Sequence, residues 1–263
     1  MQYGLLSSAI YDLTEEIKSI KKLGFDYVEI GIEEPKATPQ ILIRQKAQIL
    51  GLLKEYRMQA LGHTSYWVGF GSSHNKVREG WIAEGKEMIH VAASLNIKLL
   101  NFHFHGGEGQ SMQTKFGRDI FVSNFTDSML ELSRFAKKSK VTLMLENVPL
   151  QRNGPTIKEY SQVIENTQGL MVHLDIAHAY TEGGMKMIRE YVERFSDKIA
   201  HLHIHDNHGE HDEHLPLGMG TIDFNGVASM LKGMDYNRTI TLEVFTSKSD
   251  AASSMRYLKG ILG

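Results

Sequence analysis

Short apolar, β-rich runs alternate along the chain with longer segments whose apolar residues recur every three to four positions. The runs are YGLLS (3–7), FDYVEIGI (25–32), MQALGH (58–63), IKLLNFH (97–103), VTLMLEN (141–147), LMVHLD (170–175), IAHLHIH (199–205) and TITLEVF (239–245). Between them lie segments of helical period. Residues 13–23 set Leu13, Ile17, Ile20 and Leu23 on one stripe, and residues 119–137 carry Ile120, Phe121, Phe125, Met129, Leu132 and Phe135 in the same spacing. Eight strand-then-helix units in 263 residues predict an α/β fold, a (β/α)8 TIM barrel. A doubly wound sheet fits less well, because its first strand often leads into a glycine-rich phosphate turn and the first run here leads into SSAIYDL. No linker, low-complexity tract or proline cluster interrupts the series, so one domain over residues 1–263 is expected.

Barrel enzymes place their chemistry at the C-terminal ends of the strands and in the loops that follow, and the polar residues of this chain gather there. His63 and His103 end the third and fourth runs, Glu146 sits near the end of the fifth, and Asp175 ends the sixth. His203 and His205 close the seventh, and Glu243 lies near the end of the eighth. Of the 13 histidines only His90 falls inside a predicted helix. Asp175 and His178 stand three residues apart across a strand end, and Asp212 and His214 two apart in a loop, so each pair can aim at one point.

Composition limits what such a cluster can hold. The chain has no cysteine, so a metal must be bound by His, Asp and Glu, the donors that zinc and manganese accept without thiolate. Leaving so many ionisable groups unpaired at a barrel mouth would be costly, which calls for a cationic partner. One ion needs three or four ligands. Nine residues qualify, namely His63, His103, Glu146, Asp175, His178, His203, Asp212, His214 and Glu243, which points to two to three Zn2+ or Mn2+ ions. His105 and His205 are placed to touch substrate or a ligand, and Tyr66 and Trp67 to stack on a base or sugar. His173 and His201 lie two residues before ligand candidates on the same strand face and are expected as buried supporting groups. His74, His208 and His211 are expected at the surface, and the methionine-rich GGMKMI as core.

Net charge is −2, which gives no global reason to bind nucleic acid; the cations near the loops are the scattered Lys76, Arg78, Lys115, Arg118 and Arg152. No apolar run reaches membrane-spanning length and no basic segment precedes one at the start, so a cytoplasmic protein without membrane contact is expected.

In combination these motifs resemble the xylose-isomerase-like TIM-barrel superfamily, which includes the endonuclease IV family and the sugar and sugar-phosphate isomerases and epimerases. The resemblance runs nearly end to end. GHTSYWVGFG, LLNFH, LENV, LDIAH, HIHD, DEHLPLGMGTI and TLEV are similar to successive ligand motifs of endonuclease IV, which implies that all nine residues hold a three-metal site. The isomerases are similar in using Glu146, Asp175, His203 and Glu243 around one metal, and need none of the other five. The resemblance therefore implies a phosphoester hydrolase cleaving next to a sugar, with an abasic site in DNA as leading substrate, Glu146 bridging two ions and Glu243 beside a metal-activated water. Two loops run against DNA: GIEEPKATPQ is acidic where that family carries an Arg-containing loop, and the stretch between His203 and Asp212 is short. The alternative implied is a sugar or sugar-phosphate isomerase or epimerase, in which Glu146 and Glu243 exchange a proton at carbon as an acid/base pair.

Overall fold

In the computed structural model, which describes residues 1–106, 110–149 and 154–263, eight parallel strands close a barrel in chain order. β1 (Gln2–Leu6) pairs with both β2 (Tyr27–Ile32) and β8 (Thr239–Leu242), so no edge remains. Between them stand β3 (Gln59–Thr64), β4 (Leu99–His103), β5 (Thr142–Glu146), β6 (Met171–Asp175) and β7 (Ile199–Ile204). The outer ring is α1 (Leu13–Lys22), α2 (Pro39–Tyr56), α3 (Asn75–Ser94), α4 (Lys115–Lys138), α5 (Ile157–Asn166), α6 (Ile176–Phe195), α7 (Phe224–Gly233) and α8 (Lys248–Leu262).

The helices start where short polar side chains take a free amide. Asp12, Thr38, Thr114, Thr156, Asp223 and Ser247 each accept one from the first turn, and Thr156 with Glu159 forms a reciprocal capping box. These caps fix the strand-to-helix turns at the C-terminal mouth. α6 has no preceding loop at all: Asp175, the last residue of β6, is its cap and accepts the amide of His178 at 2.6 Å. His178 is thereby helical, joining His90 of α3, where the sequence pattern placed only His90 in a helix.

All eight apolar runs are strands; β1 and β3 are shifted by one residue, Gln2–Leu6 and Gln59–Thr64, and the rest are trimmed by one to three residues at one or both ends. β8 stops at Leu242 and not 245, because the chain then leaves β7 for a neighbouring loop: the Glu243 amide still reaches Ile204 O, but the Phe245 amide turns to His214 O. α4 begins at Lys115, ahead of the predicted 119, since Thr114 caps it by accepting the Gly117 amide.

Outward strand residues such as Leu100, Phe102, Leu202 and Ile204 bury under the helices. Inside, the floor is closed by Tyr27, whose ring fits only because Gly4 has no side chain: a Cβ there would stand 2.1 Å from it. Above the floor the interior is not the usual layer of branched aliphatics. It is filled by Glu29, His173, His201 and His203, all fully buried. Among the described residues no helix is long and apolar enough to cross a membrane.

Candidate metal centre and active site

The period-two alternation of β7 turns His201 and His203 inward, followed by His205 just beyond the strand. From β2, Glu29 Oε2 accepts His203 Nε2 at 2.9 Å, His201 Nε2 at 3.1 Å and Thr241 Oγ1 at 2.5 Å. With Nε2 committed to Glu29, His203 Nδ1 faces the mouth. It lies 3.2 Å from Glu243 Oε2, 3.6 Å from Glu146 Oε1 and 4.0 Å from Asp175 Oδ2. His203 Nδ1 and Asp175 Oδ2 are buried and make no hydrogen bond. Burial alone would keep the His203 ring neutral, but Glu29, Glu243 and Glu146 hold its pKa well above the ordinary imidazole value. The same carboxylates would attract a cation at Nδ1. Burial would raise the Glu243 carboxyl, yet His203 and His214 bring it down to about 2.

A second group of donors adjoins this one: ligand atoms of His178, His205, Asp212 and His214 lie within 4.8 Å of one another. His178 Nδ1 donates to Asn147 O at 2.8 Å, which aims its Nε2 at Asp212 Oδ2, 3.2 Å away. His214 Nε2 is 3.1 Å from the same oxygen, and His205 Nε2 is 3.5 Å from Asp212 Oδ1. Against the opposing effect of burial, Asp175 and Asp212 raise the His178 pKa well above its usual value, and Glu243 with Asp212 push His214 up to about 9. The loop carrying Asp212 and His214 is pinned from below by Asp206, whose carboxylate accepts the amides of Asn207, Gly218, Gly220 and Ile222. His214 itself sits at φ 50°, a left-handed conformation that a side-chain-bearing residue keeps only where its surroundings enforce it.

The third group is His63, His103 and Glu146. Glu146 Oε2 is 3.5 Å from His63 Nε2, 3.2 Å from His103 Nε2 and 3.3 Å from His173 Nδ1. Burial would raise the Glu146 carboxyl, but His173, His103 and His203 together draw it well below the ordinary range. The Tyr66 ring covers His103 and His105 at 5.2 and 4.3 Å between centroids, and Trp67 lies over His105 at 4.9 Å. Tyr66, Trp67 and His105 thus form a rim, with the His105 pKa lowered to about 4 by burial.

The nine ligand candidates therefore converge in three adjoining groups, with His205 part of the second. His173 and His201 lie buried beneath them, while His208 pairs with Glu213 at the surface and His74 precedes α3 there. Sequence reasoning missed Glu29, Asp206 and Asn147. The available signal for Glu29 was an acid in the middle of an apolar strand run, YVEIGI.

Residues 17–261 match the model of a family described as xylose isomerase-like TIM barrel. An uncharacterised protein of Methanocaldococcus jannaschii is 26% identical over 270 residues, covering 100% of this chain and 89% of its own. L-ribulose 3-epimerase of a Methylomonas species is 24% identical over 252 residues, covering 88% and 78%. The crystal structure of a D-tagatose 3-epimerase-like protein superposes with a TM-score of 0.87 at 25% identity, covering 100% and 97%.

These relatives overturn the expectation of an endonuclease IV-like hydrolase acting on abasic DNA, since those named by reaction are sugar 3-epimerases. The physical reason lies in the cations. Lys115 pairs with Asp119 at 2.6 Å, Arg118 grips Glu159 through two nitrogens, and Arg78 donates to Ser72 O. Arg118 thus serves the protein's own Glu159 where a duplex would need it on a phosphate, while the exposed Lys76 and Lys115 stay scattered surface cations. Arg152 lies outside the described residues.

Proposed function

The chain belongs to the xylose isomerase-like TIM-barrel family, and we propose that it is a metal-dependent sugar epimerase or isomerase that moves a proton at a carbon beside a ketose carbonyl. One observation carries this reading. Glu146 from β5 and Glu243 from the end of β8 approach from well-separated strands, and their carboxylates stand 3.6 and 3.2 Å from the same atom, His203 Nδ1. A sugar carbon between two such groups has a proton acceptor on one face and a donor on the other.

Glu146, Asp175, His203 and Glu243 would hold a divalent ion, Mn2+ or Zn2+ by the chemistry of a donor set of oxygens and imidazole. Asp175 Oδ2 and His203 Nδ1, buried without a hydrogen bond, fit that role. When bound, the ion supplies Lewis acidity that polarises a carbonyl and makes the neighbouring C–H acidic. The reaction needs this one ion; the groups of His178, Asp212 and His214 and of His63, His103 and Glu146 add donors that would hold a second and a third.

In the reaction one glutamate takes the proton from carbon and the electron pair moves into the adjacent carbonyl, giving an enediolate. The opposite glutamate, ionised at rest, takes up a proton from solvent and delivers it to the other face of that carbon, which inverts it; the two exchange roles in the reverse direction. Such proton exchange with solvent is directly measurable. The purified, metal-replete protein incubated with ketoses in D2O is expected to introduce deuterium at the carbon next to the carbonyl, seen by NMR or mass spectrometry, with two to three metal ions per chain by elemental analysis. No exchange with any ketose, free or phosphorylated, would remove the reading.

A further inference from the structure

We propose that the sugar this site accepts is unphosphorylated, and that its far end lies in an uncharged aromatic cavity beside His105. The inference rests on the epimerase or isomerase reading and narrows its substrate.

Two cavities flank the centre. One, of 780 Å³, opens between the loops after β3 and β4 and is walled by Trp67, Trp81, Phe116 and Phe121. Its described lining contains no Asp, Glu, Lys or Arg, and its titrating groups are His74 and His105. The walls close in because the β3 to α3 loop is rich in glycine: a Cβ on Gly69 would stand 2.9 Å from the Trp81 indole nitrogen, and one on Gly71 2.3 Å from the Phe121 ring. At the rim Trp67 is 67% and Phe116 76% exposed. Large apolar side chains left in water around a concavity mark a place where a ligand's apolar faces come to rest. Trp67 links this cavity to the centre, since its ring lies on His105 and against Tyr66, which covers His103.

The second cavity, of 760 Å³, lies between the loops after β1 and β8. It carries Glu16, Glu33 and Glu34 against one cation, Lys248, which is bound to Glu16. A phosphate dianion needs a guanidinium, an ammonium or unsatisfied backbone amides. Neither cavity's described lining provides a free cation. Of the helix N-termini that border the first, that of α4 is capped by its own Thr114 on the Gly117 amide, while that of α3 has no side-chain cap and begins at the exposed His74 and Asn75, open to water. A phosphorylated sugar would thus carry its dianion into a field of like charge or onto aromatic carbon, whereas the hydroxyls and C–H faces of a neutral sugar suit carboxylates, imidazoles and rings.

The experiment compares kcat/KM of the metal-replete protein for matched ketopentoses and ketohexoses and their terminal phosphate esters, read by deuterium exchange. Free sugars are expected to exceed their esters by about 50-fold or more. Trp67→Ala, at an exposed position, should raise KM for the free sugar about five- to tenfold with kcat within about twofold, and Trp67→Phe should restore most of it. Equal or better turnover of the esters overturns the proposal and leaves the epimerase reading standing. An unchanged KM in Trp67→Ala overturns the assignment of the aromatic cavity. Exchange with neither class removes the reaction reading, and this proposal with it.

Discussion

Raising the pH of the chelated protein from about 6 to about 10 should discharge His214, and the consequence for stability follows from its contacts. Its Nε2 lies 3.1 Å from Asp212 Oδ2 and its Nδ1 3.0 Å from Glu243 O, so both ring nitrogens face acceptors and the ring is held as an imidazolium. Burial alone would depress its pKa, but Glu243 and Asp212 lift it from 6.5 to about 9. The folded chain therefore retains a proton that the unfolded chain releases near 6.5. The stabilisation is present in full below that value and is lost as the pH climbs through about 9. The interval from 6.5 to about 9, at ~1.36 kcal/mol per pH unit, amounts to about 3 kcal/mol. For a chain of this size that is roughly 6–12 °C in Tm. The assay is thermal unfolding of wild type and His214→Gln, both chelated, across this range. The advantage of wild type should shrink by about 3 kcal/mol between pH 6.5 and 9.5. A difference that stays flat with pH would refute the reasoning. Since a cation at His214 must displace the same proton, metal affinity should rise with pH over the same interval, with proton release detectable by calorimetry in buffers of different ionisation enthalpy.

Glu243→Gln should lower the rate of deuterium exchange by about 10²–10⁴-fold while ketose binding by calorimetry persists; full turnover in this variant would show that the reacting carbon does not sit at the end of β8. Asp206→Asn removes acceptors from two of the four amides that pin the loop carrying Asp212 and His214. It should cost about 2–4 kcal/mol in urea unfolding and lower the metal content, and a variant with wild-type stability and metal content would show that Asp206 does not hold that loop.

The eight strands were legible because a parallel strand buried on both faces must be apolar whatever its partner, so the runs betray themselves locally. Their ends were less so. β8 stops at Leu242 because Phe245 finds its acceptor in His214, a residue 31 positions earlier that no local pattern could nominate. The convergence of the donors was legible for a related reason: a closed barrel brings every strand's C-terminal end to one mouth, so a position at a strand end is enough to place His63, His103, Glu146, Asp175 and His203 together.

What the donors do was not legible, because nine His, Asp and Glu side chains suit a hydrolase and an isomerase alike. One difference lies in whether Arg118 is free to meet phosphate, and that depends on Glu159 being in reach. Glu29 is the clearest case of a role only the tertiary structure assigns. It lies 174 residues from His203 in the chain, on a strand whose residues are all buried, so alternation could not say which of them faces the interior. Strand tilt and register across the closed barrel bring its carboxylate under His203 and His201 and orient the ring that carries the centre. Local sequence sets which residues can form strands and which can bind a cation; the pairing of groups from opposite walls is a property of the closed barrel, because only closure determines their separation.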